Sequence, residues 1–278
     1  MDDHLQNVKG DLLCLNHRFL ILLMIRLRCC VLLFVAGSCS HKPVAQLVEE
    51  GEEATGKKAI RLYTQALANE PTNVRALWRR GDEYAKTDQP EKALADFTQA
   101  IALEPTYNAG YLFGDRGEVL EATNHLPEAI RDYTTALAVC RRTLSPSLPS
   151  TPMENFYFYR GRARLKAGDT TAARVDTDSA IYYYPKFPRA HFQRARLAVI
   201  RREYDQALAD YEVGNLGPNS MEFPDYADDF FYLGLLKFNR QDTSYCTCWA
   251  AAARYNQQQA KAYLAKYCNA GGRKGQKR

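Results

Sequence analysis

The chain has 278 residues, 25% of them charged, and a formal net charge of +5 from 37 basic and 32 acidic side chains. Four basic and three acidic residues fall in 1–38, and four more basic ones (Arg273, Lys274, Lys277 and Arg278) fall in 271–278, which leaves 29 against 29 in the body. A neutral body lacks the basic stripe of a nucleic-acid binder, so that class of partner is excluded.

The first recognisable element is a leader. Residues 24–38 read MIRLRCCVLLFVAGS, in which Arg26 and Arg28 precede an apolar run and three small residues lead to Cys39. This resembles a secretory signal peptide ending in a bacterial lipobox, whose cysteine is diacylated to become the new N-terminus. The lipobox pattern prefers Leu where Ala36 stands. Residues 1–23 put acids and a second apolar stretch ahead of that signal, and read as a gene-start extension or a disordered segment. The rival reading is an uncleaved anchor helix from Phe19 to Ala36. It would place Arg26 and Arg28 near the bilayer centre, at about 2.5–3.5 kcal/mol each. Both readings tether the chain to a membrane. The resemblance implies a lipid anchor on Cys39 in the bacterial cell envelope, on the periplasmic side of the outer membrane.

Residues 39–270 carry a recurring block. Arg80, Arg116, Arg160 and Arg194 each precede Gly or Ala, and each is followed sixteen residues later by an aspartate: Asp96, Asp132, Asp176 and Asp210. The block from Val74 also holds Gly81, Tyr84, Ala93, Phe97, Ala100 and Pro105, small and large residues at helical spacing closed by a proline. This resembles the tetratricopeptide repeat, a helix-turn-helix unit of about 34 residues. It implies an all-α, right-handed superhelical solenoid of antiparallel helix pairs with about five to six repeats. The units lie near 40–73, 74–107, 110–141, 154–187, 188–218 and 227–268, with a Pro/Ser insertion between Thr143 and Pro152. The first helix of unit one is degenerate. Pro90 and Pro127 fall in first turns, and Asp169 and Asp242 are placed as N-caps. The Arg/Asp pairs read as structural ion pairs between the two helices of a unit. Unit one has Gln46 and Leu62 at those positions and unit six has Leu233 and Trp249, so both partners are lost together. Pairing predicts that joint loss, because a half-buried unpaired charge is costly.

The last segment reads YCTCWAAAARYNQQQAKAYLAKYC. Two helices joined near Asn256 would bring Cys246 opposite Cys268, and an oxidising envelope would favour a bridge there. Cys248 is the competing partner for Cys268. The terminal pattern also resembles repeat lipoproteins of Bacteroidota-like bacteria. The tail 271–278, GGRKGQKR, reads as basic and disordered.

In the tetratricopeptide family the inner surface is lined by defined positions of each first helix. The resemblance therefore implies a partner-binding groove formed by Arg75, Trp78, Arg79, Asp82, Tyr111, Phe158, Tyr159, Arg162, Phe192 and Arg196. Each of these aromatics either lines the groove or packs between repeats. The ninth position holds Asp82, Glu118, Arg162 and Arg196 instead of the asparagine that a chaperone-tail clamp requires. The aromatic runs 156–159 and 182–184 are read mainly as packing, since neighbours in a helix point in different directions. No catalytic constellation, phosphate loop, cofactor motif or metal motif is present in the sequence. The expected function is a non-enzymatic, membrane-anchored scaffold that binds a protein or peptide, with no cofactor, metal or nucleic acid. The alternative is a glycan-binding accessory lipoprotein of an outer-membrane uptake system.

Overall fold

A computed structural model describes residues 42–143, 152–214 and 227–268. The extension 1–23, the signal 24–38, Cys39, most of the Pro/Ser insertion and the basic tail lie outside these described residues. Within them the chain is all helical. The helices are α1 (Val44–Glu52), α2 (Gly56–Asn69), α3 (Val74–Lys86), α4 (Pro90–Leu103), α5 (Tyr111–Ala122), α6 (Leu126–Thr143) and α7 (Met153–Lys166). They continue with α8 (Thr170–Tyr183), α9 (Pro188–Ile200), α10 (Tyr204–Gly214), α11 (Ala227–Asn239), α12 (Tyr245–Arg254) and α13 (Gln258–Tyr267). A short 3-10 turn, Tyr107–Gly110, leads into α5. Consecutive helices pair as antiparallel hairpins that stack in chain order, and α13 closes the end. Among the described residues no helix is long and apolar enough to cross a membrane.

Small residues let the two helices of a hairpin approach. Ala93, Ala100, Ala129, Ala136, Ala173, Ala180 and Ala207 are all completely buried. A Cβ built on Gly81 would stand 2.7 Å from the Phe97 ring, so the glycine is a seat for that ring. The turn inside each hairpin uses a left-handed residue at a constant place. Asp88, Asn124, Gly168, Arg202 and Gln241 all have positive φ, from 57° at Asp88 to 85° at Gly168. Each lies eight residues after the position that Arg80 occupies in its own repeat. Asp169 caps α8 by accepting the Ala172 N–H at 3.0 Å. Asp242 instead accepts the Ser244 N–H at 2.9 Å in the turn before α12, so it shapes the turn rather than capping the helix.

The four arginines each grip the aspartate sixteen residues on with two N–H groups. Arg80 reaches Asp96 at 2.7 and 2.8 Å, and Arg116 reaches Asp132 at 2.7 and 2.8 Å. Arg160 to Asp176 and Arg194 to Asp210 give 2.9 and 2.7 Å each. A third N–H of each guanidinium crosses to the preceding hairpin. Its acceptors are Thr64 (3.3 Å), Thr98 (3.2 Å), Thr134 (3.1 Å) and Asp178 (3.1 Å). The arginines thus tie helices within a repeat and between repeats.

The end hairpins depart from the expected frame. Gly51 packs on Tyr63 as Gly81 packs on Phe97, so unit one has a turn four residues shorter than its neighbours (12 residues between the pair against 16). Glu50, rather than Gln46, therefore stands in the arginine position opposite Leu62, and its carboxylate takes Lys42 at 2.7 Å. The helix expected to be degenerate is regular over Val44–Glu52. In unit six Gly234 seats Trp249, so Cys248 rather than Trp249 occupies the aspartate position. Leu233 and Cys248 lie in one apolar cluster there. Cys246 and Cys268 are joined, with Cα atoms 5.7 Å apart, while Cys140 and Cys248 are buried thiols.

Candidate functional site

Successive first helices (α1, α3, α5, α7 and α9) approach one another more closely than successive second helices do. That asymmetry puts them on the inside of the curve, where one side chain per turn faces the groove.

At the N-terminal end Glu52 receives Arg75 through two bonds of 2.9 and 2.6 Å and Arg79 through one of 3.2 Å. The Arg79 guanidinium lies over the Trp78 ring, 4.2 Å from its centroid. The Trp78 indole N–H crosses to the next repeat and donates to Asp115 at 2.6 Å. A cleft of about 240 Å³ opens beside this cluster, lined by Glu52, Tyr63, Arg79, Asp82, Glu83 and Lys86.

Three carboxyl groups then follow along the groove. Burial raises the Asp82 pKa to about 6, against the pull of Lys86 and Arg79. Burial and the neighbouring Asp82 charge raise that of Asp115 to about 7, against the Trp78 hydrogen bond. Burial also raises the pKa of Glu118, opposed by a hydrogen bond from Tyr159 and the charge of Arg162. The cause is shared: each carboxylate is drawn out of water faster than a cation compensates it. Two deeper acids are held by arginines, although burial still raises the pKa of one of them, Asp229. Burial pulls the pKa of Glu121 upward, but Arg162 at 2.7 and 2.9 Å and Lys166 at 2.8 Å hold it below the ordinary value. Asp229, completely buried, is gripped by Arg196 and the Tyr211 hydroxyl.

These positions correct several sequence-based expectations. Trp78, Phe158 and Phe192 are buried at 8%, 6% and 2% exposure, so their rings pack between repeats instead of lining an open groove. Phe158 meets Phe187 edge-on at 5.4 Å and Phe192 meets Phe230 at 6.2 Å, because removing large rings from water outweighs presenting them. Arg162 and Arg196 are committed to internal acids. Arg75, Arg79, Asp82, Tyr111 and Tyr159 keep partial exposure on the inner face. Tyr159 stacks on Tyr133 at 5.8 Å, which fixes its hydroxyl near Glu118. The run 182–184 is also corrected: Tyr182 is 81% exposed and its two neighbours are nearly half exposed, at the solvent end of α8. Asp115 and Glu118 stand on the inner face, where the family pattern puts them. Glu52, Glu121 and Asp229 are the residues that sequence reasoning missed, because the arginines they hold belong to neighbouring repeats.

Residues 74–107 match the family model of the tetratricopeptide repeat. The fold is a tetratricopeptide-repeat solenoid, and the class of molecule it defines is a helical repeat array. Mouse DnaJ homolog subfamily C member 7 is 37% identical over 86 residues, 30% of this chain; the match spans 17% of the mouse protein's length. Among solved structures, Pseudomonas aeruginosa pilF aligns with a TM-score of 0.61 at 16% identity, covering 79% of this chain and 91% of its own. YrrB, described as a TPR protein with an unusual peptide-binding site, aligns with a TM-score of 0.50 at 16% identity, covering 73% and 97%. At these identities the likeness to the two structures concerns the fold.

Proposed function

We propose that the chain is a protein-interaction scaffold whose inner groove takes an extended segment bearing lysine or arginine side chains. The observation that carries this reading is the row Asp82, Asp115 and Glu118, whose carboxyl pKa values burial holds above the ordinary range. A carboxylate already withdrawn from water loses little further hydration when a partner's cation arrives, and it gains a charge-assisted hydrogen bond. Glu121 and Asp229 are each gripped by an arginine through two bonds and offer no such gain, whereas Asp82 has Arg79 only at 3.6 Å. Tyr111, Tyr159 and Arg79, which keep partial exposure, flank the row with the residue types that dominate binding energy at interfaces. The peptide-binding site ascribed to YrrB supports the same use of this fold. In this reading Cys39 carries lipid and holds the array in the bacterial cell envelope, on the periplasmic side of the outer membrane. The glycan-binding alternative gains no support from the proteins to which the chain is similar.

Fluorescence anisotropy with labelled ten-residue peptides, one lysine-rich and one glutamate-rich, tests the groove. The lysine-rich peptide binds at pH 8 and loses affinity as pH falls through 6, because protonated carboxyls no longer attract it. Asp115→Asn combined with Glu118→Gln weakens it at least tenfold. Equal binding of the two peptides, or binding indifferent to that double substitution, overturns the reading. For the anchor, Cys39→Ala is expected to move the protein from the membrane to the soluble fraction.

A further inference from the structure

The last hairpin carries a covalent tie at its open end. Cys246 stands in the first turn of α12 and Cys268 directly follows α13. Both are only partly buried, whereas Cys248, two residues from Cys246, is 4% exposed. The tie is therefore reachable from solvent and the nearby free thiol is not.

α13 has little else to hold it. It has ten residues, of which Ala260 alone is fully buried. An isolated helix of that length is marginal in water. Its remaining hold is Leu264, packed on the same cluster as Trp249, and a set of ring contacts. Tyr263 meets Trp249 at 5.1 Å and Phe231 at 5.5 Å, and Tyr267 meets Phe238 at 4.9 Å. The surface beneath does not depend on α13. Trp249 is seated on Gly234 and donates its indole N–H to the Phe231 carbonyl at 3.3 Å, both in α11.

We infer that the Cys246–Cys268 disulfide is a redox latch: a dithiol reductant opens it, α13 detaches locally, and an aromatic platform of Phe231, Phe238 and Trp249 is uncovered. In the first step a thiolate of the reductant attacks one cystine sulfur, the S–S bond breaks, and the released cysteine thiolate takes a proton. The reductant's second thiol, as thiolate, then attacks the mixed disulfide and closes a cyclic disulfide, and the second cysteine leaves and is protonated. Two electrons pass from dithiol to protein. A sequence separation of 22 residues between the joined cysteines makes the tie worth about a hundredfold in the closing equilibrium of the helix.

Hydrogen exchange followed by mass spectrometry on the full chain, with and without dithiothreitol in native buffer, tests the latch. Amides of 258–267 are expected to exchange about a hundredfold faster after reduction, while α3–α8 keep their protection. The Cys246→Ser, Cys268→Ser variant reproduces the reduced pattern without reductant. The inference is overturned by exchange in α13 within threefold of the oxidised protein, by equal loosening of α3–α8, by resistance of the bond to the dithiol, or by a double variant that keeps oxidised-like protection.

Discussion

Arg116 and Thr98 belong to successive hairpins, and Nη1 of the arginine donates to Oγ1 of the threonine at 3.2 Å. The same guanidinium holds Asp132 in its own hairpin, so one side chain sets the distance between three helices. Repetition of this arrangement at Arg80, Arg160 and Arg194 couples folding of one repeat to stacking of the next. It ends at unit six, where Leu233 replaces arginine. There Lys237, one turn later, reaches back to Glu212 at 3.5 Å.

Removing one partner of the pair should cost much more than removing both. Arg116 and Asp132 side chains are 21% and 9% exposed, so Asp132→Ala strands a largely buried guanidinium. We expect Asp132→Ala to lose about 3 kcal/mol in urea denaturation, and Arg116→Leu with Asp132→Leu to lose well under that. Thr98→Val, which removes a single neutral acceptor, should lose about 1 kcal/mol. A double variant worse than Asp132→Ala would contradict the ion-pair account.

Arg202 holds the left-handed turn between α9 and α10 at φ 62° without a glycine's freedom. That conformation costs an ordinary residue about 1–2 kcal/mol. Part of the gain from Arg202→Gly is offset by the greater freedom of glycine in the unfolded chain. A net stabilisation of about 0.5–1 kcal/mol is expected, read as a rise in Tm. The equivalent change at Asp88, a residue type that tolerates this region, should give less.

Gly234 should not tolerate a methyl group. A Cβ there would lie 2.3 Å from the Trp249 ring, which is completely buried and has no room to retreat. Gly234→Ala is expected to cost about 1–3 kcal/mol as overpacking, with loss of near-ultraviolet ellipticity.

The repeat was legible because its geometry is periodic. A constant offset of sixteen residues exposed the Arg–Asp pairs, and small residues at fixed places exposed the helix seats. The threonine acceptors were also written in the chain, two residues after Asp96 and Asp132, but their role depends on how repeats curve together. The groove was less legible. Arg162 meets Glu121 41 residues away and Arg196 meets Asp229 33 residues away, separations that obey no repeat. Whether Trp78 lines the groove or packs beneath it depends on a fraction of a helical turn, which hydrophobic spacing does not resolve. Unit one misled because its short turn shifts every position before it by four residues.

The Asp115 carboxyl pKa is raised to about 7 by burial and by Asp82. In the unfolded chain an aspartate titrates near 4. Between those values the folded protein keeps a proton that the unfolded chain has lost, so stability falls as pH rises from about 4 to about 7. Above that window the full penalty is present, on the order of 2 kcal/mol after discounting for partial solvent screening. Asparagine has no charge to desolvate, and its carbonyl oxygen can still accept the Trp78 indole N–H. Asp115→Asn should therefore be more stable than the native chain at pH 8 by about 2 kcal/mol and close to it at pH 4. Urea unfolding of both proteins across this range checks the slope. A difference that stays flat, or grows toward acid, would mean that the ionised Asp115 already has a cation the groove does not need to borrow.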